Sequence, residues 1–145
     1  MAEHVVELAR GWLGTPYLHQ ASVKGAGCDC LGLIRGLWRD IYGAEPEAPP
    51  AYSPDWGEVG QVELLLAGAM RHLLPVPRDT ALQVGQALLF RMRPGAIAKH
   101  LGLLSAAGEA ARFIHAYDGH GVIDSPLTLP WRNRVIARFT FPEIP

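Results

Sequence analysis

The sequence predicts an α+β domain in which N-terminal helices pack on a C-terminal antiparallel sheet. Two observations carry this. Apolar residues recur at helical spacing through the first half of the chain, and from Gln86 onward short apolar runs alternate with Pro, Gly and Asp turns. The order, helices first and strands afterwards, argues against alternating β-α units and a parallel sheet.

Residues 3 to 13 place Val5, Val6, Leu8, Ala9, Trp12 and Leu13 at helical spacing, and Gly14 and Pro16 end that helix. "TPYLHQASVKGAG" follows as an extended loop. Asp29 is suited to cap a second helix that ends at Gly43. "AEPEAPPAYSPDWG" reads as a proline-rich connection. A third helix is expected over about 58–74, with Val59, Val62, Leu65, Leu66, Ala69 and Leu73 on one side. The strands are expected in "QALLFRM", "AKHLGLLS", "ARFIHAY", "GVID" and "RVIARFTF". Residues 1–145 are read as one domain, with 44–85 holding the connection and the extra helix.

Composition removes several function classes. At 145 residues the chain suits one core rather than two. A hydrophobic fraction of 49% against 19% charged residues argues for a folded rather than a disordered chain. The net charge of −1 provides no field for non-specific nucleic-acid binding. No stretch approaches the length of a membrane span, so membrane insertion is not expected. "MAEHVVELARGWLG" lacks the basic and apolar regions of a secretory signal, so synthesis in the cytoplasm is expected, with any outside destination reached by another export route.

Both cysteines lie in "GCDCLGLIRGLW", residues 27 to 38. Cys28 and Cys30 flank a single residue, a spacing that strains a disulfide, and no second cysteine pair exists to complete a zinc site. No metal and no cofactor is therefore expected. With Asp29 as cap, Cys30 is the first helical residue and shares a face with Ile34, Leu37 and Ile41. Unpaired N–H groups and the helix dipole favour a thiolate there, and a neighbouring histidine can lower the pKa from about 8.5 by several units. The alternative is a small buried hydrophobe. A base within reach separates the two. Cys28, before the cap, has neither advantage.

Six histidines occur. His4 and His72 read as surface residues of the first and third helices. His100 and His115 fall in consecutive strands. A four-residue loop, 106–109, would pair Ser105 with Ala110 and set His100 directly opposite His115 on one face. A bulge would shift that register. One imidazole could then act as base toward a thiol while the other orients it. His120 and Asp118 compete for the orienting role from the turn in "YDGHGV", and His19 could line a cleft or simply be a solvated loop residue.

These residues resemble the NlpC/p-sixty family of bacterial cell-wall cysteine peptidases. The resemblance is carried by "GTPY" at 14–17, "DCLGLI" at 29–34, "GQALLF" at 85–90, "HLGLL" at 100–104 and "FIHA" at 113–116, in that order. It implies a compact papain-like fold, with Cys30 as nucleophile, His100 as base, His115 as orienting residue and Tyr17 near the cysteine as a possible oxyanion donor. Tyr17 could equally be a loop anchor. His19 and Asp29 are candidate substrate contacts. The implied substrate is a peptidoglycan stem peptide, cut between γ-D-glutamate and the diamino acid at position three. Leu31 replaces the usual Ser after the cysteine, and "HQ" replaces the usual Gly-Gly after the tyrosine. "PYLHQASVKGAGCDCLGLIRG" is similar to the subgroup encoded with phage tails and gene transfer agents. That implies a tail hub or baseplate partner, assembly into a tail tip, and action in the wall of a target cell. Two other readings stay open: a structural tail-tip component of little activity, and a papain-like amidase or acyltransferase acting on another substrate.

Overall fold

The computed structural model describes residues 1–47 and 63–145. Its frame is a six-stranded antiparallel sheet ordered β3 (Leu74–Pro75), β8 (Val135–Thr140), β4 (Ala87–Phe90), β5 (His100–Ala106), β6 (Arg112–Tyr117) and β7 (Gly121–Pro126), with helices from the N-terminal half on one face. The α+β class expected from the sequence is the class observed. Among the described residues, no helix is long and apolar enough to cross a membrane.

Helix α1, Ala2–Arg10, buries Val5, Val6 and Ala9. Beyond it the chain turns, and the buried Trp12 lies against α2, Cys30–Tyr42. Gly36 permits that approach, because a Cβ there would stand 2.1 Å from Trp12 Cζ2. The Trp12 indole N–H donates to Asp40 Oδ2 at 3.2 Å. Asp29 and Gly43 bound α2 as the sequence indicates: Asp29 Oδ1 accepts the Gly32 amide at 2.7 Å, and Gly43 adopts a φ of 92°. The preceding loop holds a short hairpin not foreseen, β1 (Ser22–Val23) with β2 (Gly27–Cys28).

The third helix ends slightly sooner than expected, at His72 rather than near 74. Helix α3 spans Leu64–His72, while the expected start at 58–62, with Val59 and Val62, and most of the proline-rich connection lie outside the described residues. Leu65 and Leu73 are buried, so the predicted apolar side faces the core. Leu73 turns extended, and β3, Leu74–Pro75, adds an edge to β8, Val135–Thr140.

All five expected strands form: β4 (Ala87–Phe90), β5 (His100–Ala106), β6 (Arg112–Tyr117), β7 (Gly121–Pro126) and β8. Alternation gives the sheet two apolar faces. Leu101, Leu103, Ile114 and Ala116 join the core under α1 and α2. Leu88, Phe90, Leu104 and Phe113 form a second cluster on the other face. Trp131, on the unforeseen one-turn helix α4 (Leu129–Arg132), covers that cluster. Arg138 is buried at the sheet's end but satisfied, donating to Gln86 Oε1 at 3.0 Å and to backbone carbonyls including those of Ala81 and Pro77.

The expected β5–β6 register is corrected. Leu103 pairs with Ile114 and Leu104 with Phe113, and a bulge precedes the pairing of Ala106 with Arg112. The connection is thus longer than the four residues assumed, with Gly108 at a φ of 84°. Carried along the strands, this register sets His100 across from Tyr117 and His115 across from Gly102. A slip by two positions keeps every side chain on its face, whereas a slip by one would have separated the histidines.

Candidate active site

The first residue of α2 and the first residue of β5 meet at one end of the sheet. Cys30 Sγ lies 3.6 Å from the Lys99 carbonyl oxygen, which accepts its proton, and the Leu101 amide also bonds the sulfur. The sulfur thus rests against the backbone on both sides of His100. Cys30 and His100 line one cleft, together with Tyr17, His19, Asp29, Leu31, Met92, Lys99, Tyr117 and Asp118. All six candidate residues except His115 reach this cleft, and His115 stands directly behind His100. A separate apolar groove between α2 and α3, lined by Ile34, Trp38, Leu65 and Leu73 among others, contains no cysteine and shares Leu31 with the cleft.

His100 Nε2 and His115 Nδ1 are 2.8 Å apart, with the rings edge to face at 82°. The diagonal placement makes this contact, and Gly102 keeps it open: a Cβ there would lie 3.3 Å from His115 Cβ and 2.8 Å from Phe113 Cδ2. Phe113 stacks on His115 at 4.0 Å between centroids, and Trp131 meets both imidazoles, at 5.7 Å and 5.3 Å. His100 Nε2 is thus engaged by His115, which leaves Nδ1 as the second ring nitrogen of a residue that lines the cleft.

The partner of His100 is therefore His115 rather than His120 or Asp118. His120 is exposed and stacks on Tyr117 at 5.4 Å, while Asp118 lies at the rim of the cleft. His72 pairs with Glu47 at 2.8 Å, and His4 is exposed. Sequence reasoning missed Ser125, whose Oγ lies 3.0 Å from His115 Nε2. It stands ten residues from the histidine in an ordinary strand pattern, where only the β6–β7 pairing could reveal it.

The electrostatics overturn one expectation. Burial, and next the charge of Asp29, push the Cys30 thiol up to about 12; amide bonds from Leu101, Leu31 and Cys30 itself oppose this but lose. The helix start therefore solvates the sulfur without creating a resting thiolate. Burial drives His100 down to about 3, helped by His115, and His115 down to about 4, helped by His120. At rest the Cys30 thiol is protonated and bonded to the Lys99 carbonyl, and both imidazoles are neutral. Burial also raises the Tyr17 hydroxyl, with Cys30 and Asp29 adding to it, so the phenol remains a donor. Cys28 is fully buried and its thiol is pushed up to about 12.

Asp29 is occupied by structural work. Oδ1 holds the Gly32 amide, Oδ2 accepts the Gln20 amide at 2.8 Å, and His19 Nδ1 stands 3.9 Å from Oδ2. Its carboxylate fixes the loop that carries Tyr17 to the helix that carries Cys30.

The fold is shared with NlpC/P60 proteins of known structure. Crystal structures of an NlpC/P60 family protein from Bacillus cereus (19% identity, TM-score 0.64) and of a lipoprotein-like NLP/P60 family protein from Staphylococcus aureus (18%, 0.60) superpose over 100% and 99% of this chain. The chain spans only 41% and 42% of those two proteins. The NlpC/p60 domain of the peptidoglycan hydrolase SagA matches at 18% identity and a TM-score of 0.61, over 97% of this chain and 99% of that domain. No family model matches the sequence, and no curated protein does either.

Proposed function

We propose that the protein is a thiol-dependent peptidoglycan endopeptidase. The observation that carries this reading is the clasp of Cys30 Sγ by the backbone on both sides of His100, with His100 backed by His115 at 2.8 Å. His100 Nδ1 takes the thiol proton as Sγ attacks the peptide carbonyl carbon. The tetrahedral oxyanion accepts hydrogen bonds from the Cys30 amide and the Tyr17 hydroxyl. As the C–N bond breaks, His100 returns the proton to the leaving amine. Water, deprotonated by His100, then hydrolyses the thioester and restores the thiol. Because both groups rest neutral, proton transfer accompanies substrate binding rather than preceding it.

Murein stem peptides are the proposed substrate, with cleavage between γ-D-glutamate and the position-three diamino acid, by resemblance to the family. Digestion of purified murein followed by mass analysis of the fragments tests this: the expected products end in D-glutamate on one side and begin with the diamino acid on the other. Stem peptides left whole, or cut elsewhere, contradict the assignment. Cys28→Ala is expected to keep most of the activity, since Cys28 does not line the cleft.

The proposed setting is a phage-like tail tip, bound to a hub or baseplate protein and acting on the wall of a target cell. Its support is the resemblance of the stretch from Pro16 to Gly36, and co-purification with tail particles tests it. One observation favours a second reading, a structural tail component of low activity: the raised pKa of the Cys30 thiol. A Cys30 that resists iodoacetamide even when murein peptide is cleaved by no route would establish that reading instead.

A further inference from the structure

His115 engages both of its ring nitrogens, Nδ1 with His100 Nε2 at 2.8 Å and Nε2 with Ser125 Oγ at 3.0 Å. Ser125 lies on β7, two strands from the strand that bears His100. A neutral imidazole has one N–H and one bare nitrogen, so this chain of bonds can run in only two senses. In the first, His115 donates from Nε2 to Ser125, and its bare Nδ1 accepts the Nε2 proton of His100. His100 then presents a bare Nδ1. In the second, His115 donates from Nδ1 to His100 Nε2, and His100 carries its proton on Nδ1, where it can accept none from a thiol.

We propose that Ser125 is the positioning residue that makes the first sense available, because its hydroxyl accepts the His115 Nε2 proton that would otherwise be stranded and so allows His100 Nδ1 to stay bare. The inference rests on the reading of Cys30 and His100 as nucleophile and base. Its physical basis is the asymmetry between a stranded donor and a stranded acceptor. Without the hydroxyl, His115 must leave at Nε2 either an unpaired N–H or an unpaired lone pair. His115 is only 1% exposed, and a buried orphan N–H is the costlier of the two. The ring cannot turn to another partner, because Phe113 stacks on it at 4.0 Å and Trp131 abuts it at 5.3 Å. Loss of the acceptor therefore moves the His115 proton to Nδ1 and reverses the chain.

Nitrogen-15 spectra of histidine-labelled protein read the tautomers directly, alongside the rate of Cys30 alkylation by iodoacetamide mapped by peptide mass. The wild type is expected to show the Nε2–H tautomer at both His100 and His115. Ser125→Ala is expected to move His115 to Nδ1–H and to slow alkylation about tenfold, the scale of one lost hydrogen bond. Ser125→Thr, which keeps the acceptor, restores both. Wild-type tautomers in Ser125→Ala, or an Nδ1–H tautomer at His100 in the wild type, overturn the proposal. The measurement needs no substrate. A wild type that leaves murein intact, yet shows these tautomers and their reversal in Ser125→Ala, supports the role of Ser125 and overturns the peptidase reading.

Discussion

At the scale of single residues, the site trades charge for burial. A cysteine at a helix N-terminus ordinarily gains thiolate character. Cys30 receives the amide bonds of that position, but although it is only half-buried, desolvation outweighs them and pushes the thiol up to about 12. This has a measurable consequence: the alkylation rate of Cys30 in the free protein should climb steadily from neutral pH to beyond pH 9, following the scarce thiolate (~8.5 is the ordinary thiol value). A plateau reached below about pH 5, the mark of a preformed thiolate–imidazolium pair, would contradict the neutral resting state. The place of Cys30 at the start of α2 was legible in the sequence because the cap residue and the helix start are local signals. The ionisation of its thiol was not, because desolvation depends on Met92, Lys99 and other residues far along the chain. Ser125 was hidden for the same reason: nothing within its own strand distinguishes it.

At the scale of elements, two close approaches set the geometry. His100 of β5 and His115 of β6 can meet because Gly102 leaves room for the side chains of β6. Gly102→Ala would drive a Cβ to 2.8 Å from Phe113, whose ring stacks on His115, so activity should fall about tenfold or more while the fold survives. Murein digestion together with circular dichroism checks this. Asp29→Ala removes the α2 cap and the Gln20 contact together. A lost cap costs about 0.5–2 kcal/mol, and here the loop bearing Tyr17 loosens as well, so denaturant titration and kcat should both decline. Helix α2 was readable to the residue from Asp29 and Gly43. The β5–β6 register was not, since the bulge near Ala106 depends on sheet twist and turn geometry rather than on any alternation in the sequence. The two-residue strands β1, β2 and β3 were equally invisible, as each is too short to show a period.

At the scale of the whole molecule, the buried histidines and thiols bound the pH range of stability. His100 and His115 fold with pKa values of about 3 and 4, below the ordinary value of about 6.5. The unfolded chain therefore takes up protons first as pH falls, and stability declines from about pH 6.5 downward. Cys28 and Cys30 fold with values near 12, so above roughly pH 9 the unfolded chain loses protons first and stability declines again. Thermal melts across pH should peak between these limits, and the acid limb should flatten in His115→Asn. An unchanged acid limb in that variant would contradict the assignment of neutral buried histidines. The helices-then-strands architecture was legible as a whole because periodicity changes once, near Gln86, and the sheet that follows is antiparallel and locally connected.

The proposed function comes down to one reaction, cleavage of murein peptides by the Cys30 sulfur with His100 as its base. Parallel digestion of purified murein by the wild type, Cys30→Ala and Cys28→Ala tests it most directly. Peptide fragments are expected from the wild type and Cys28→Ala, and none above background from Cys30→Ala. Fragments released by Cys30→Ala at the wild-type rate would contradict that reading.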